Sequence, residues 1–199
     1  MSSGLILASA SEIRQTLLAG AGLRFDVIPA RVDEGAMRDS MLAQGASPRD
    51  IADALAELKA VKVSQKFPAA LVIGCDQVLS LEGRILSKPE DCTEAREQLL
   101  AMRGKRHELL SAVVICEGGK PVWRHVGVVR MTVRPFSDDW LDGYLDRNWN
   151  SIRHTVGAYK LEEEGVRLFS RIEGDYFTVL GLPLLDLLSY LTLRGEIDQ

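Results

Sequence analysis

The 199 residues and 22.0 kDa suffice for one large domain or two tightly joined lobes with a real core. With 46% hydrophobic and 26% charged residues the composition is ordinary for a globular protein. The formal net charge of -4 excludes one that coats nucleic acid, because binding a phosphate backbone needs a basic face. The 3 cysteines, Cys75, Cys92 and Cys116, are widely spaced with no CxxC pair, which speaks against a disulfide framework or structural zinc and for reduced, cytoplasmic thiols.

In chain order, Leu5 to Ala8 reads as a first strand, too short for a membrane span and with no basic region before it to suggest a signal. A helix starting at Ser9 or Ser11 runs to Gly20 or Gly22, and Phe25 to Ile28 is a second strand stopped by Pro29. Ser47-Pro48-Arg49-Asp50 supplies an N-cap, a proline at the first helical position and an early acid, opening a helix to about Lys66. On it Ile51, Leu55, Leu58 and Lys62 share a face, with Lys59 at the edge.

Leu71 to Leu79 reads as the central strand and Glu82-Gly83 as a turn. An amphipathic helix follows from Glu90 to Met102, ended by Gly104. Leu109 to Cys116 and Val122 to Val133 flank Glu117-Gly118-Gly119-Lys120, a hairpin signal. Ser137-Asp138-Asp139 caps a helix through about Arg147, and Pro183 starts the last one, an interrupted apolar stretch suited to packing on the core. Strands mixed with helices, including a hairpin, predict an α/β fold with a mixed central sheet and flanking helices.

Four places can carry chemistry. Asp76 ends an apolar strand, where a carboxylate can hold a metal or take a proton from water, as phosphoanhydride hydrolysis requires; it can equally cap a turn. Ser9-Ala10-Ser11-Glu12-Ile13-Arg14 follows a strand and opens a helix, so free N–H groups, hydroxyls and Arg14 suit a phosphate. The plainer alternative there is a capping box, Ser9 with Glu12, beside an exposed arginine. Lys59 and Lys88 can reach phosphates or merely solvate a surface. Glu162-Glu163-Glu164 reads as a solvated acidic loop with Arg167 and Arg171 as partners; His107, His125 and His154 read as structural, and Cys75 as a small core residue.

The order of these segments is more specific than any one of them. Leu5-Ile6-Leu7-Ala8-Ser9-Ala10-Ser11 with Arg14, Val32-Asp33-Glu34, Leu58-Lys59-Ala60, Gly74-Cys75-Asp76-Gln77-Val78, Lys88-Pro89, Arg103-Gly104 with His107, Gly157-Ala158-Tyr159 and Gly181-Leu182-Pro183-Leu184 together closely resemble the Maf family over nearly the whole chain. The resemblance implies a single nucleotide pyrophosphatase domain over residues 1–199, elongated, two-lobed and clefted like the house-cleaning inosine triphosphatases. Its implied activity converts a nucleoside triphosphate to monophosphate and pyrophosphate with Mg²⁺ or Mn²⁺, and family members typically dimerise. A nucleotide-binding regulator of septum formation, without essential turnover, is the alternative that the family's name carries.

Position by position, the resemblance implies Asp76 as the catalytic aspartate and a metal ligand, Glu34 as the acidic motif residue and second metal ligand, and Ser9, Arg14, Glu34, Lys59 and Lys88 as substrate-binding groups. There are departures. The usual Ser-Pro-Arg-Arg reads Ser11-Glu12-Ile13-Arg14, one arginine short. Asp76-Gln77-Val78 replaces Asp-Thr-Val, and Lys160-Leu161-Glu162 replaces Gly-Ile-Gln, as in the branch acting on 7-methyl-GTP. A carboxylate at Glu162 suits guanine, accepting from its N1–H and amino group together, whereas a uracil edge offers one N–H.

Overall fold

The computed structural model describes residues 4–198. Its elements are β1 (Leu5–Leu7), α1 (Glu12–Gly20), β2 (Asp26–Val27), α2 (Glu34–Ala43), α3 (Pro48–Ser64), β3 (Leu71–Leu81), β4 (Arg84–Leu86), α4 (Cys92–Met102), β5 (Arg106–Glu117), β6 (Lys120–Val133), α5 (Asp138–Ile152), β7 (Phe169–Glu173), α6 (Tyr176–Val179) and α7 (Leu184–Arg194). The strands form one 7-stranded sheet in the order β2-β1-β3-β5-β6-β7, with β4 paired to β3. Pairing of β1 with β2 and with β3 is parallel, whereas β3–β4 and β6–β7 are antiparallel, so the sheet is mixed as the sequence predicts.

By its internal contacts the chain divides into two units, one holding residues up to 77, 110–127 and 175 onward, the other 78–109 and 128–174. In the first unit β1 lies between β2 and β3, so the chain steps to one side of β1 and then crosses to the other. Right-handed crossovers in opposite directions put their helices on opposite faces. Accordingly, Leu18 of α1 packs with Leu7, Leu71, Ile73 and Cys75, while Val63 of α3 packs with Ile6, Ala8 and Val72. Apart from Gln77, every residue of β3 is buried, as expected for a strand covered on both sides, and each fully buried leucine or isoleucine there is worth about 1.5–3 kcal/mol.

Helix α3 starts as the sequence predicts, with the Ser47 hydroxyl accepting from Asp50 N and Pro48 in the first turn. Its buried face differs from the expectation. Ile51, Ala52, Leu55, Ala56, Lys59, Ala60 and Val63 are buried, whereas Leu58 is half-buried and Lys62 exposed. The alanines explain the rotation: a Cβ on Gly74 of β3 would lie 2.2 Å from Ala56 O and 2.7 Å from Ala60 Cβ, so helix and strand touch backbone to backbone. Small residues won over large ones as the contact surface.

The hairpin forms as predicted, with Gly118 and Gly119 both at positive φ in a two-residue connection from β5 to β6. Helix α5 runs five residues beyond Arg147, because Ile152 is buried and continues the face of Leu141, Tyr144 and Leu145. Elements α2, β4, β7 and α6 are additions; all but α2 are five residues or fewer, too short to show a period. Within the second unit a neutral polar pair is sealed in the core. His107 is 1% exposed, with Nε2 2.7 Å from the Tyr159 hydroxyl, and burial lowers its pKa to about 4. Among the described residues no helix is long and apolar enough to cross a membrane.

Candidate active site

Alternation along β3 sends Leu71, Ile73 and Cys75 to the α1 side and Val72, Gly74 and Asp76 to the α3 side. The last residue pair between β1 and β3 is Leu7 with Ile73, so Asp76 comes just past the carboxyl end of β1, where the crossovers change direction. Open α/β sheets bind ligands at such switch points. The close approach at Gly74 then brings α3 near enough for Lys59 to reach the aspartate.

The Lys59 ammonium donates to Asp76 Oδ1 at 2.7 Å and pairs with Glu34 Oε1 at 3.0 Å. Lys59 and Asp76 are both buried, while the Glu34 side chain is 48% exposed at the first turn of α2. Asp33 caps that turn by accepting from Ala36 N, which fixes where Glu34 starts. Lys59 is therefore no edge residue: it is a buried cation shared by two acids. Burial pushes the Asp76 carboxyl above its usual range, with the Lys59 and Arg14 charges opposing that rise.

Arg14 is half-buried and committed on three sides. Its Nε donates to Gly181 O at 2.8 Å, and its NH1 lies 3.3 Å from Ser9 Oγ and 3.4 Å from Cys75 O. Ser9 Oγ also accepts from Ser11 N at 3.3 Å, so Ser9 belongs to the arginine and not to a capping box with Glu12; Ser11 is the N-cap. Gly181 has φ 91, and a Cβ there would sit 3.1 Å from Arg14 NH2, so glycine is required for this approach. Three segments far apart in sequence meet on one guanidinium.

Gln77, beside the aspartate, has its amide nitrogen 2.9 Å from Ser111 Oγ, 3.2 Å from Thr178 O and 2.9 Å from Val179 O. Sequence reasoning missed Ser111 and the two carbonyls, because a backbone acceptor leaves no mark on residue type. Cys75 is fully buried and its thiol is pushed up to about 11, so it is a core residue as expected.

Lys88 and Glu162 lie in the second unit, both exposed, and neither has a hydrogen bond or ion pair with another described residue. Their neighbours behave differently. Glu163 is held by Ser151 and Lys160, and Glu164 by Arg147, Asn148 and Arg167, which holds its carboxyl down at about 2. Of the expected surface partners Arg167 takes that part, whereas Arg171 pairs with Glu173.

Among the described residues no three or more histidines, cysteines or acids cluster as a metal site, so the candidate cation donors are the two carboxylates on Lys59. They fit a hard cation, because Mg²⁺ takes one or two protein carboxylates and completes its shell with phosphate oxygens and water.

The Maf family profile, described as "Maf-like protein", matches residues 4–193. Over 199 residues, covering both chains completely, the sequence is 64% identical to a protein named nucleoside triphosphate pyrophosphatase from Roseobacter denitrificans. It is 53% identical over 191 residues, 96% of each chain, to a protein of the same name from Caulobacter vibrioides. A protein named 7-methyl-GTP pyrophosphatase, from Rhizobium meliloti, is 52% identical over 194 residues, 98% of each chain. With a profile match over residues 4–193 and relatives at this identity and coverage, the chain belongs to the Maf family.

Proposed function

We propose that this protein is a nucleoside triphosphate pyrophosphatase that cleaves the α–β phosphoanhydride, releasing a nucleoside monophosphate and pyrophosphate. The observation that carries the reading is the buried Lys59 ammonium shared by Asp76 and Glu34. A buried carboxylate whose pKa burial has raised is a stronger base than a solvated one and suits proton abstraction from water. Lys59 and Arg14 supply positive charge for the phosphates, and Ser9 a hydroxyl beside them. For Lys88, exposed and without a hydrogen bond or ion pair to another described residue, the phosphate role rests on the family resemblance alone.

A divalent cation bound by Asp76 and Glu34 would neutralise phosphate charge beyond what the lysines and Arg14 can offset. Excess chelator is therefore expected to abolish turnover, and readdition of Mg²⁺ or Mn²⁺ to restore it. Full activity in chelator would overturn the metal requirement.

For the base, the reading is a guanine type, 7-methyl-GTP in particular. It is supported by Glu162, whose carboxylate no described residue engages, and by the full-length relative that carries that name. A panel of ordinary and modified nucleoside triphosphates, scored for pyrophosphate against orthophosphate, tests the reaction. Pyrophosphate as the first product is expected; orthophosphate would make the protein a phosphatase.

A further inference from the structure

The carbonyls of Thr178, Val179 and Gly181, at and just beyond the end of the short helix α6, are all taken by side chains from elsewhere in the first unit. Helix ends leave their last carbonyls without helical partners, so such acceptors must find donors outside. Gly181 O accepts from Arg14 Nε, while Thr178 O accepts from the Ser111 hydroxyl at 2.7 Å and, with Val179 O, from the Gln77 amide. Ser111 and Thr178 are at most 1% exposed, so no water competes for these bonds. Arg14 also holds Cys75 O, the residue before the aspartate. Asp76 is thus gripped on both flanks by side chains that end on the same four-residue stretch.

We infer that Gln77 is a positioning residue for Asp76: by donating to the Thr178 and Val179 carbonyls and to Ser111 Oγ it fixes the strand one residue past the base. Two of its three partners are carbonyls, which can only accept, so the donor end of the amide must face them. This requirement is chemical, not steric. Leucine or glutamate at position 77 preserves the size and removes the donor. The inference rests on the hydrolase reading, in which Asp76 takes the proton, and a misplaced base costs rate more than substrate affinity.

The test compares Gln77→Leu, Gln77→Glu and Ser111→Ala with the parent, using 7-methyl-GTP and UTP with magnesium. For each variant kcat and KM are measured on protein whose folded fraction is fixed by denaturant titration, together with the acid limb of the pH–kcat profile. Expected for Gln77→Leu and Gln77→Glu is a fall in kcat of about tenfold or more with KM within about twofold, and a displaced acid limb. Ser111→Ala, which leaves both amide-to-carbonyl bonds of Gln77 in place, is expected to show a smaller fall in the same direction, and it remains informative if neither position-77 variant folds. A purely structural role lowers the denaturation midpoint but leaves kcat and the acid limb of the folded protein unchanged, and that result overturns the inference. If the parent itself releases no pyrophosphate from either nucleotide, the hydrolase reading falls first; an active parent with unaffected variants removes only the positioning role.

Discussion

Two buried polar groups, one in each unit, met the same loss of water in opposite ways. His107 took a neutral partner, the Tyr159 hydroxyl, and burial drives its charged form out of reach. Asp76 took a cation that it shares with a second acid, so burial and the Lys59 charge pull its carboxyl in opposite directions. The histidine is held neutral, with Nδ1 buried and unbonded; the aspartate stays poised. Burial alone does not mark a functional group, whereas burial opposed by an incompletely shared countercharge does.

Neutralising the aspartate breaks this contrast most sharply. Asp76→Asn keeps the shape and is expected to fold, with turnover lowered about 10²–10⁴-fold, the range for loss of a general base. The sign follows from the raised pKa: the base works deprotonated, so parent activity rises with pH through a limb above the usual carboxylate range. That limb vanishes in the variant. Near-normal turnover in folded protein would make Asp76 a turn residue only.

The histidine is tested by stability. Its folded pKa of about 4 lies below the ordinary 6.5, so its contribution is complete above pH 6.5 and is lost as pH falls toward 4. The swing is about 3 kcal/mol at most. Urea midpoints of His107→Gln should lose this acid-side slope; a slope equal to the parent's would show that other groups carry it. Turnover of the folded variant near neutral pH should change little.

Gly74→Ala probes what brings Lys59 to the aspartate. The added methyl meets helix backbone, which cannot swing aside as a side chain would, so α3 must retreat. A loss of about 2 kcal/mol is expected, with turnover falling beyond what the unfolded fraction explains. Parent-like thermal denaturation would contradict the close contact.

The mildest change is Glu162→Gln. If the carboxylate accepts two guanine donors, the amide presents a donor to one of them, and preference for 7-methyl-GTP over UTP should drop about tenfold. An unchanged ratio of kcat/KM means that Glu162 is only solvated.

Much of this was legible in the sequence because the signals were local. The Ser47-Pro48 start of α3, the glycine pair of the hairpin and the apolar run of β3 each need only neighbours in sequence to specify them. Lys59 was misplaced at the edge of its helix because face assignment by large apolar residues ignores alanines, and Ala56 and Ala60 were chosen by a glycine on another element. The resemblance gave Ser9, Arg14 and Asp76 as site residues and Gly181 only as a motif position, and the hydrogen bonds of Arg14 join Ser9, Gly181 and the carbonyl of Cys75, the residue before the aspartate. Helix α2, with no fully buried residue, had no apolar stripe to reveal it.

The core that packs Leu7 and Leu18 against Leu71 and Ile73 is closed by Leu182, Leu184, Leu187 and Leu191. Strand β1 therefore waits for α7, which leaves the ribosome long after it. Everything from β1 to α7 must emerge before the first unit can bury this apolar surface, and contacts of such long sequence separation form slowly. A ribosome stalled before α7 would hold a nascent chain with Leu7, Leu71 and Ile73 uncovered on that side, a substrate for chaperones until the last leucines arrive.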